Sequence, residues 1–119
     1  MTEPVAIAQG YIDVWNERSA STRKEKLSAR WASSAAYRDP LTKVEGLDAI
    51  DALIAGVQER FPAFRFELRP AASGYDGVVR LAWTLGPDGA EAPIEGSDVL
   101  VLDDGKIGSV IGFLDKVPQ

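Results

Sequence analysis

The spacing of apolar positions predicts two helices at the start of the chain. Over residues 4–18, apolar side chains recur at helical intervals around most of the helix circumference. After a short polar break, Thr22 and Glu25 have the form of a capping box, which marks the first turn of a helix. We therefore predict a second, shorter helix that carries Leu27 and Trp31 on one face.

A third helix is predicted between Gly46 and Pro62. Its apolar stripe is the clearest helical pattern in the sequence and consists of Leu47, Ile50, Leu53, Ile54, Val57 and Phe61. The residues before it, 35–39, are predicted to form a short extended segment. Pro40 stops that segment, and it also keeps Asp39 away from helical backbone angles.

The remainder of the chain, from Phe64 onward, has the alternation of strands. We expect strands near residues 64–69, 78–85, 94–102 and 107–117, separated by turns that contain glycine. Helices followed by a run of strands are typical of an α+β domain in which the helices cover one face of the sheet. Because the chain has 119 residues, a single domain over residues 1–119 is expected.

Two of the predicted strands are apolar on both faces. Val99 and Val101 alternate with Leu100 and Leu102, whereas a sheet with one solvated face would alternate apolar with polar residues. An exposed apolar surface of this kind usually marks an interface. We therefore expect a homodimer formed through the second face of the sheet. The alternative is an adaptor surface that recruits another protein.

Composition narrows the chemistry that the chain can perform. It contains no histidine and no cysteine, which excludes a Ser-His-Asp triad, a thiol nucleophile and the usual zinc sites. Proton transfer would therefore use carboxyls, phenols, lysines or water. Thirteen basic and eighteen acidic residues give a formal net charge of -5, with no basic stripe, so nucleic acid is not an expected partner.

The first residues and the apolar runs bear on the cellular compartment. Met1, Thr2, Glu3 and Pro4 lack the basic character of a secretory signal. No apolar run approaches the roughly 20 residues that are needed to cross a bilayer. We therefore expect a cytoplasmic protein that does not interact with membranes.

Two acids and a phenol are candidates for a shared site. Asp98 is in register with apolar residues, so its carboxyl should lie under the helices and either find donors or become neutral. Tyr11 lies on an almost wholly apolar helix, and Asp39 precedes a proline. The structural alternatives are a buried network for Asp98, a core phenol for Tyr11 and a turn for Asp39. Large apolar side chains are expected to line the pocket around them: Trp15, Trp31, Ile54, Trp83 and Phe113.

Several short motifs resemble the nuclear transport factor 2-like superfamily. They are Tyr11-Ile12-Asp13, Tyr37-Arg38-Asp39-Pro40 followed by Gly46 and Ile50, and Ser97-Asp98-Val99 followed by Asp103-Asp104-Gly105-Lys106-Ile107. Within that superfamily the chain is similar to SnoaL-like proteins and ketosteroid isomerases. The resemblance implies a cone-like α+β barrel, in which three N-terminal helices pack on a curved, mainly antiparallel sheet of about four to six strands.

The resemblance to ketosteroid isomerases also implies roles for the candidate residues. In that family an Asp removes a proton next to a carbonyl, while a Tyr and a protonated Asp donate hydrogen bonds to the enolate oxygen. By resemblance, Asp39 would be the base, and Tyr11 and Asp98 the donors. The implied protein is an isomerase or polyketide cyclase-like enzyme that needs no cofactor or metal and acts on a small apolar carbonyl compound. The alternative is a non-catalytic small-molecule-binding or dimerisation domain of the same fold.

Limonene epoxide hydrolases of this fold also resemble the chain in outline. They need an Arg two residues before the strand Asp and a second Asp on the following strand. In this chain those positions hold Gly96 and Gly112. Water activation by an Asp-Arg-Asp set is therefore not expected.

Overall fold

Three helices cover one face of a six-stranded sheet in the computed structural model, which describes residues 4–118. The helices are α1 (Pro4–Asn16), α2 (Ala20–Arg30) and α3 (Leu47–Arg60). The strands are β1 (Trp31–Asp39), β2 (Thr42–Glu45), β3 (Phe64–Tyr75), β4 (Val78–Pro87), β5 (Ile94–Asp103) and β6 (Lys106–Lys116). The predicted α+β class is confirmed, with the predicted three helices.

The sheet is mixed and is not closed into a barrel. Its strands are ordered β2-β1-β6-β5-β4-β3, so β2 and β3 form the open edges. Every neighbouring pair is antiparallel except β1 and β6, which are parallel. The C-terminal strand β6 therefore joins the β1–β2 hairpin to the meander of β3, β4 and β5. This is the cone-like arrangement that the sequence predicts, with free edges.

Within residues 4–118, no helix has both the length and the apolar character needed to cross a bilayer. Met1, Thr2 and Glu3, on which the prediction about a secretory signal was based, lie outside the described residues.

The structure differs from the prediction around β1 and β2. Trp31 was placed on the second helix, but its backbone is extended (φ -114°, ψ 148°), and β1 begins there. The four-residue strand β2 was not predicted. Its sequence contains a single apolar residue, Val44, so it has no periodicity to detect. Its position is set by pairing with β1, from Ala36 opposite Glu45 to Asp39 opposite Thr42.

Both α2 and α3 begin at residues with a clear local cause. Ser19, rather than Thr22, is the N-cap of α2, because the Ser19 side chain accepts a hydrogen bond from the Thr22 amide. Gly46 precedes α3 with a φ of +88°, a conformation that favours glycine. The Gly46 amide donates to the Ala35 carbonyl at 2.8 Å, which ties the start of α3 to β1.

The core lies between the helices and the inner face of the sheet. On β4 and β5, every second residue points toward the helices and is buried: Val79, Leu81, Trp83, Leu85, Ile94, Gly96, Asp98 and Leu100. The helix α1 contributes buried residues from most of its circumference: Ala8, Tyr11, Ile12, Val14 and Trp15. Asp98 is the one acidic side chain that is buried among the described residues.

A buried polar network holds α2 against α1 and α3. Arg23 is only 3% exposed, and its Nε donates to Asp51 Oδ1 at 2.6 Å. Its guanidinium also donates to the Glu17 carbonyl and to Gln58 Oε1. Gln58 in turn donates to the carbonyls of Trp15 and Glu17. Because the guanidinium is well supplied with acceptors, the desolvation cost of its charge is offset by an ion pair and hydrogen bonds.

We expect Arg23→Met to reduce the free energy of unfolding by about 3 kcal/mol, because breaking one side of a buried ion pair leaves the partner carboxylate without its counterion. Urea denaturation measures the change. The exposed neighbour provides a control, since Lys24→Met should change the free energy by less than about 0.5 kcal/mol. Equal effects of the two substitutions would show that the network contributes nothing specific.

The outer face of the sheet carries a group of apolar side chains on its central strands. Register places Val99 between Arg80 of β4 and Ile111 of β6, and Ser97 opposite Phe113. Val101 is 37% exposed and Phe113 is 53% exposed. Apolar side chains on this face would be covered by a second copy of the chain in the expected homodimer.

The dimer prediction can be tested with one charge on the outer face. Light scattering of the unmutated protein should give twice the monomer mass, and Phe113→Glu should shift it to the monomer because a buried carboxylate without a partner is costly. Val5→Glu introduces the same charge at an exposed apolar position on α1 and should leave the mass unchanged. A monomeric unmutated protein would contradict the prediction.

Candidate active site

A cavity of about 250 Å³ lies between α1, α3 and the inner face of the sheet. Its wall is largely apolar, with carboxylate, phenol and guanidinium groups at separate points. The lining residues are Tyr11, Ile12, Trp15, Tyr37, Asp39, Leu41, Leu53, Val57, Arg60, Phe61, Phe66, Trp83, Leu85, Ile94, Asp98, Leu114 and Val117. A mainly apolar cavity with a few convergent polar groups is the usual form of a small-molecule site.

Tyr11 and Asp98 form a direct pair inside this cavity. The Tyr11 hydroxyl donates to Asp98 Oδ2 at 2.6 Å, although the two residues are 87 positions apart in the chain. Tyr11 is 1% exposed and Asp98 is 3% exposed. The strand β5 directs Asp98 inward by its period of two, and α1 presents Tyr11 from the opposite side. The pair therefore joins the helical layer to the sheet at the innermost part of the cavity.

Burial shifts the ionisation of this pair. Loss of solvent raises the pKa of Asp98 to about 6, although contacts with Tyr11 and Trp83 lower it in part. The negative charges of Asp39 and Asp115 raise the pKa of Asp98 slightly further. Burial and the neighbouring Asp98 carboxylate also raise the pKa of Tyr11 well above its ordinary value. Tyr11 is therefore a permanent proton donor near neutral pH, whereas Asp98 changes charge just below it.

Asp39 lines the same cavity but has a different environment. Its Oδ1 accepts hydrogen bonds from the amides of Leu41 and Thr42, at 2.8 and 3.0 Å, which closes the turn between β1 and β2. Its Oδ2 accepts from the Tyr37 hydroxyl at 2.7 Å. Burial and the Asp98 and Asp39 carboxylates raise the pKa of Tyr37, so this phenol also stays protonated. Asp39 thus accepts three hydrogen bonds from the protein.

Gly112 leaves the space that both acids occupy. A Cβ atom at this position would lie 2.8 Å from Asp98 Oδ1 and 3.3 Å from Asp39 Cβ. The first distance is shorter than side-chain carbon atoms tolerate, so any other residue would displace the Asp98 carboxylate. Gly96 has a comparable role beneath Trp83, because a Cβ there would lie 2.2 Å from the indole ring. Two glycines on neighbouring strands therefore determine how deep the cavity is.

The structure brings together the three residues that the sequence nominated for catalysis. Tyr11, Asp39 and Asp98 all line one cavity, as do the predicted wall residues Trp15 and Trp83. Tyr37 was not nominated, although it lies two residues before Asp39 on the same face of β1 and could have been found by that spacing. Arg60 was also missed, because the search along α3 was for apolar residues, and Arg60 is a charged residue at the end of that apolar face.

Three predicted wall residues do not line the cavity, and those predictions were wrong. Trp31 is buried behind it, where its ring stacks on Tyr11 at a centroid distance of 5.8 Å. Ile54 is fully buried in the core beneath α3. Phe113 points to the outer face, because a register shift between β5 and β6 places both Ile107 and Val110 inward and reverses the alternation that follows.

Within residues 4–118, acidic side chains do not gather in groups of three that could hold a metal ion.

A family model described as the SnoaL-like domain matches residues 8–110, most of the chain. The chain belongs to this SnoaL-like family. A proposed isomerase of the SnoaL-like family from Agrobacterium tumefaciens is 35% identical, with 97% of this chain and 99% of that one covered and a TM-score of 0.91. No curated protein matches the sequence with significance.

More distant solved structures show the same fold for the SnoaL-like protein. A proposed ketosteroid isomerase from Kribbella flavida is 16% identical, with a TM-score of 0.72 over 98% of this chain and 80% of that one. A proposed polyketide cyclase from Sinorhizobium meliloti is also 16% identical, with a TM-score of 0.70 over 90% of this chain and 93% of that one. At this identity the likeness establishes the fold, and activity has to be argued from the site.

The raised pKa of Asp98 predicts a distinctive dependence of stability on pH. Between its unfolded pKa of 3.8 and its folded pKa of about 6, the folded state holds the proton more tightly. This group therefore stabilises the fold as the pH falls through 6, and the contribution is lost as the pH rises. Relative to Asp98→Asn, the free energy of unfolding should increase by about 2 kcal/mol between roughly pH 7 and pH 4.5.

Urea denaturation of both proteins at the two pH values measures this difference. Asp98→Asn is the matched control, because it keeps the shape of the side chain and shares every other titrating group. The assignment would be contradicted if the unmutated protein gained no stability relative to Asp98→Asn at the lower pH, or lost stability relative to it.

Proposed function

We propose that this SnoaL-like protein is an isomerase or cyclase that transfers a proton next to a carbonyl group of a small apolar ligand. The observation that carries the proposal is the buried hydrogen bond between Tyr11 and Asp98 in the wall of an apolar cavity. It pairs a carboxyl whose pKa is near neutrality with a phenol that stays protonated. Enolisation needs both groups. A base removes the proton from the carbon next to the carbonyl, and a hydrogen-bond donor stabilises the oxygen on which negative charge develops.

Asp98 is the better placed of the two acids to accept the substrate proton. With a pKa of about 6, it is mainly ionised at neutral pH yet more basic than an ordinary carboxylate. Asp39 accepts three hydrogen bonds, two of them from backbone amides. Both oxygens of Asp39 are therefore already engaged by donors of its own hairpin.

The hydrogen bond between the two groups couples the proton transfer to stabilisation of the oxyanion. As Asp98 takes a proton from the carbon next to the carbonyl, its carboxylate becomes neutral and is a weaker acceptor for the Tyr11 hydroxyl. The electron pair of the broken C–H bond moves to the carbonyl oxygen, which becomes negative. Tyr11 can then turn its hydrogen from Asp98 to that enolate oxygen.

Two outcomes of the enolate correspond to the two reaction classes. In an isomerisation, Asp98 returns its proton to a different carbon of the conjugated system. In a cyclisation, the enolate carbon attacks a second carbonyl carbon of the same ligand, and Asp98 gives its proton to the new alkoxide. Both reactions are balanced without an oxidant or a reductant. The wall is largely apolar, and a low local dielectric constant strengthens the polar contacts that the site makes.

The experiment is turnover of a panel of β,γ-unsaturated ketones and polyketide-like diketones. We expect Asp98→Asn to lower kcat by about 1,000-fold and Tyr11→Phe by about 100-fold, since one removes the base and the other an oxyanion donor. For the unmutated protein, kcat/KM should rise with pH through an apparent pKa near 6, the value of Asp98. Asp39→Asn should reduce kcat far less, because in this proposal Asp39 closes the β1–β2 turn and does not accept the substrate proton.

Binding separates the proposal from its competitors. Thermal shifts with the same compounds should be nearly equal for the unmutated protein and Asp98→Asn. Loss of turnover in Asp39→Asn, with a mild effect in Asp98→Asn, would favour the assignment by resemblance in which Asp39 is the base. Binding without conversion of any compound by the unmutated protein would support the non-catalytic binding domain instead.

A further inference from the structure

Arg60 is the one basic side chain that lines the cavity among the described residues. The other charged groups in the wall are Asp39 and Asp98, so the site has both signs of charge. The formal charge of the whole chain is -5, which disfavours the approach of an anion in general. A cation at this place therefore changes which ligands the cavity can take.

Arg60 ends an apolar wall that runs along α3. Leu53, Val57 and Arg60 are spaced by four and three residues, so they lie on the same face of the helix, and all three line the cavity. At the rise of an α-helix, the wall from Leu53 to Arg60 is about 10 Å long. A ligand along this wall would meet apolar side chains first and the guanidinium at the end.

The exposure of the lining residues places Arg60 at the entrance. Tyr11 and Asp98 are almost completely buried, whereas Leu41 is 80% exposed, Val117 is 49% exposed and Arg60 is also exposed. The proton-transfer pair is therefore in the interior of the protein, and Arg60 is at its surface.

Arg60 has no structural task that would explain its position. Its location in the last turn of α3 would suit a residue that satisfies the terminal carbonyls of the helix. Arg18 donates to one of these carbonyls, that of Gln58, and to the carbonyls of Phe61 and Phe64 just beyond the helix. Within residues 4–118, Arg60 takes part in neither a side-chain hydrogen bond nor an ion pair, whereas Arg23 and Arg69 are both paired.

We propose that Arg60 binds a carboxylate at the outer end of the substrate, whose carbonyl lies at the inner pair of Tyr11 and Asp98. The substrate class is an apolar keto acid that carries its two polar groups at opposite ends. A guanidinium binds a carboxylate through two parallel hydrogen bonds, which fixes orientation as well as adding affinity. Arg60 is thus a specificity residue, and the inference rests on the proposed function for the placement of the carbonyl.

The test uses phenyl ketones that end in a carboxylate, with alkyl spacers of increasing length, and the methyl ester of each. Isothermal titration calorimetry of the unmutated protein should show the acid binding about tenfold more tightly than its ester at one preferred spacer length. Arg60→Gln should remove this preference and leave binding of the esters unchanged. The preference should also weaken with added salt, because Arg60 is exposed.

Arg65→Gln is the matched control, since it removes one positive charge at an exposed position on β3 that does not line the cavity. It should keep the tenfold preference. Equal or weaker binding of the acids, an absence of binding by any acid, or the same loss in Arg65→Gln would overturn the inference. Tight binding of an acid whose hydrogens next to the carbonyl never exchange with deuterated solvent would reject the proposed reaction and leave the role of Arg60 standing.

Discussion

The hydrogen bond between Tyr11 and Asp98 is the interaction on which the site depends. An acid buried under a helical layer destabilises a fold unless its charge is removed or compensated. Here the compensation comes first from a phenol on another layer and then from Trp83, and it is incomplete, which leaves the pKa of Asp98 at about 6. The same desolvation that costs stability therefore provides a group that can exchange a proton at physiological pH.

Tyr11 and Asp98 are shielded from bulk solvent by the other residues of the cavity, but both still line its wall. Trp15 packs against Tyr37 and Phe66, and Phe66 packs against Trp83, which forms a continuous aromatic wall. Gly96 and Gly112 are needed for this arrangement, since a Cβ atom at Gly96 would collide with Trp83 and one at Gly112 with the Asp98 carboxylate. The polar network of Arg23 joins α2 to α3 and to the end of α1, and the side chains of Arg23, Asp51 and Gln58 do not line the cavity.

The sequence predicted the parts of this arrangement that depend on local periodicity. Alternation on β5 was sufficient to direct Asp98 inward, and helical spacing was sufficient to bury Tyr11. Strand alternation failed for Phe113, because a single register shift in β6 reverses which side chains face the helices. The sequence also could not predict that Asp39 accepts hydrogen bonds from the amides of Leu41 and Thr42, since these depend on the backbone of the turn that follows. Residues such as those of β2, whose position comes from pairing between strands, produce no periodic pattern in the sequence.

The parallel contact between β1 and β6 has a consequence for how the protein assembles. Tyr37 and Asp39 belong to a hairpin whose other connection to the sheet is the last strand of the chain. Contacts between segments so distant in sequence form late, because a long loop must close first. During synthesis, Tyr37 and Asp39 therefore stay apart from Tyr11 and Asp98 until β6 has been made. The cavity is completed when β6 pairs with both of its neighbours, β1 and β5.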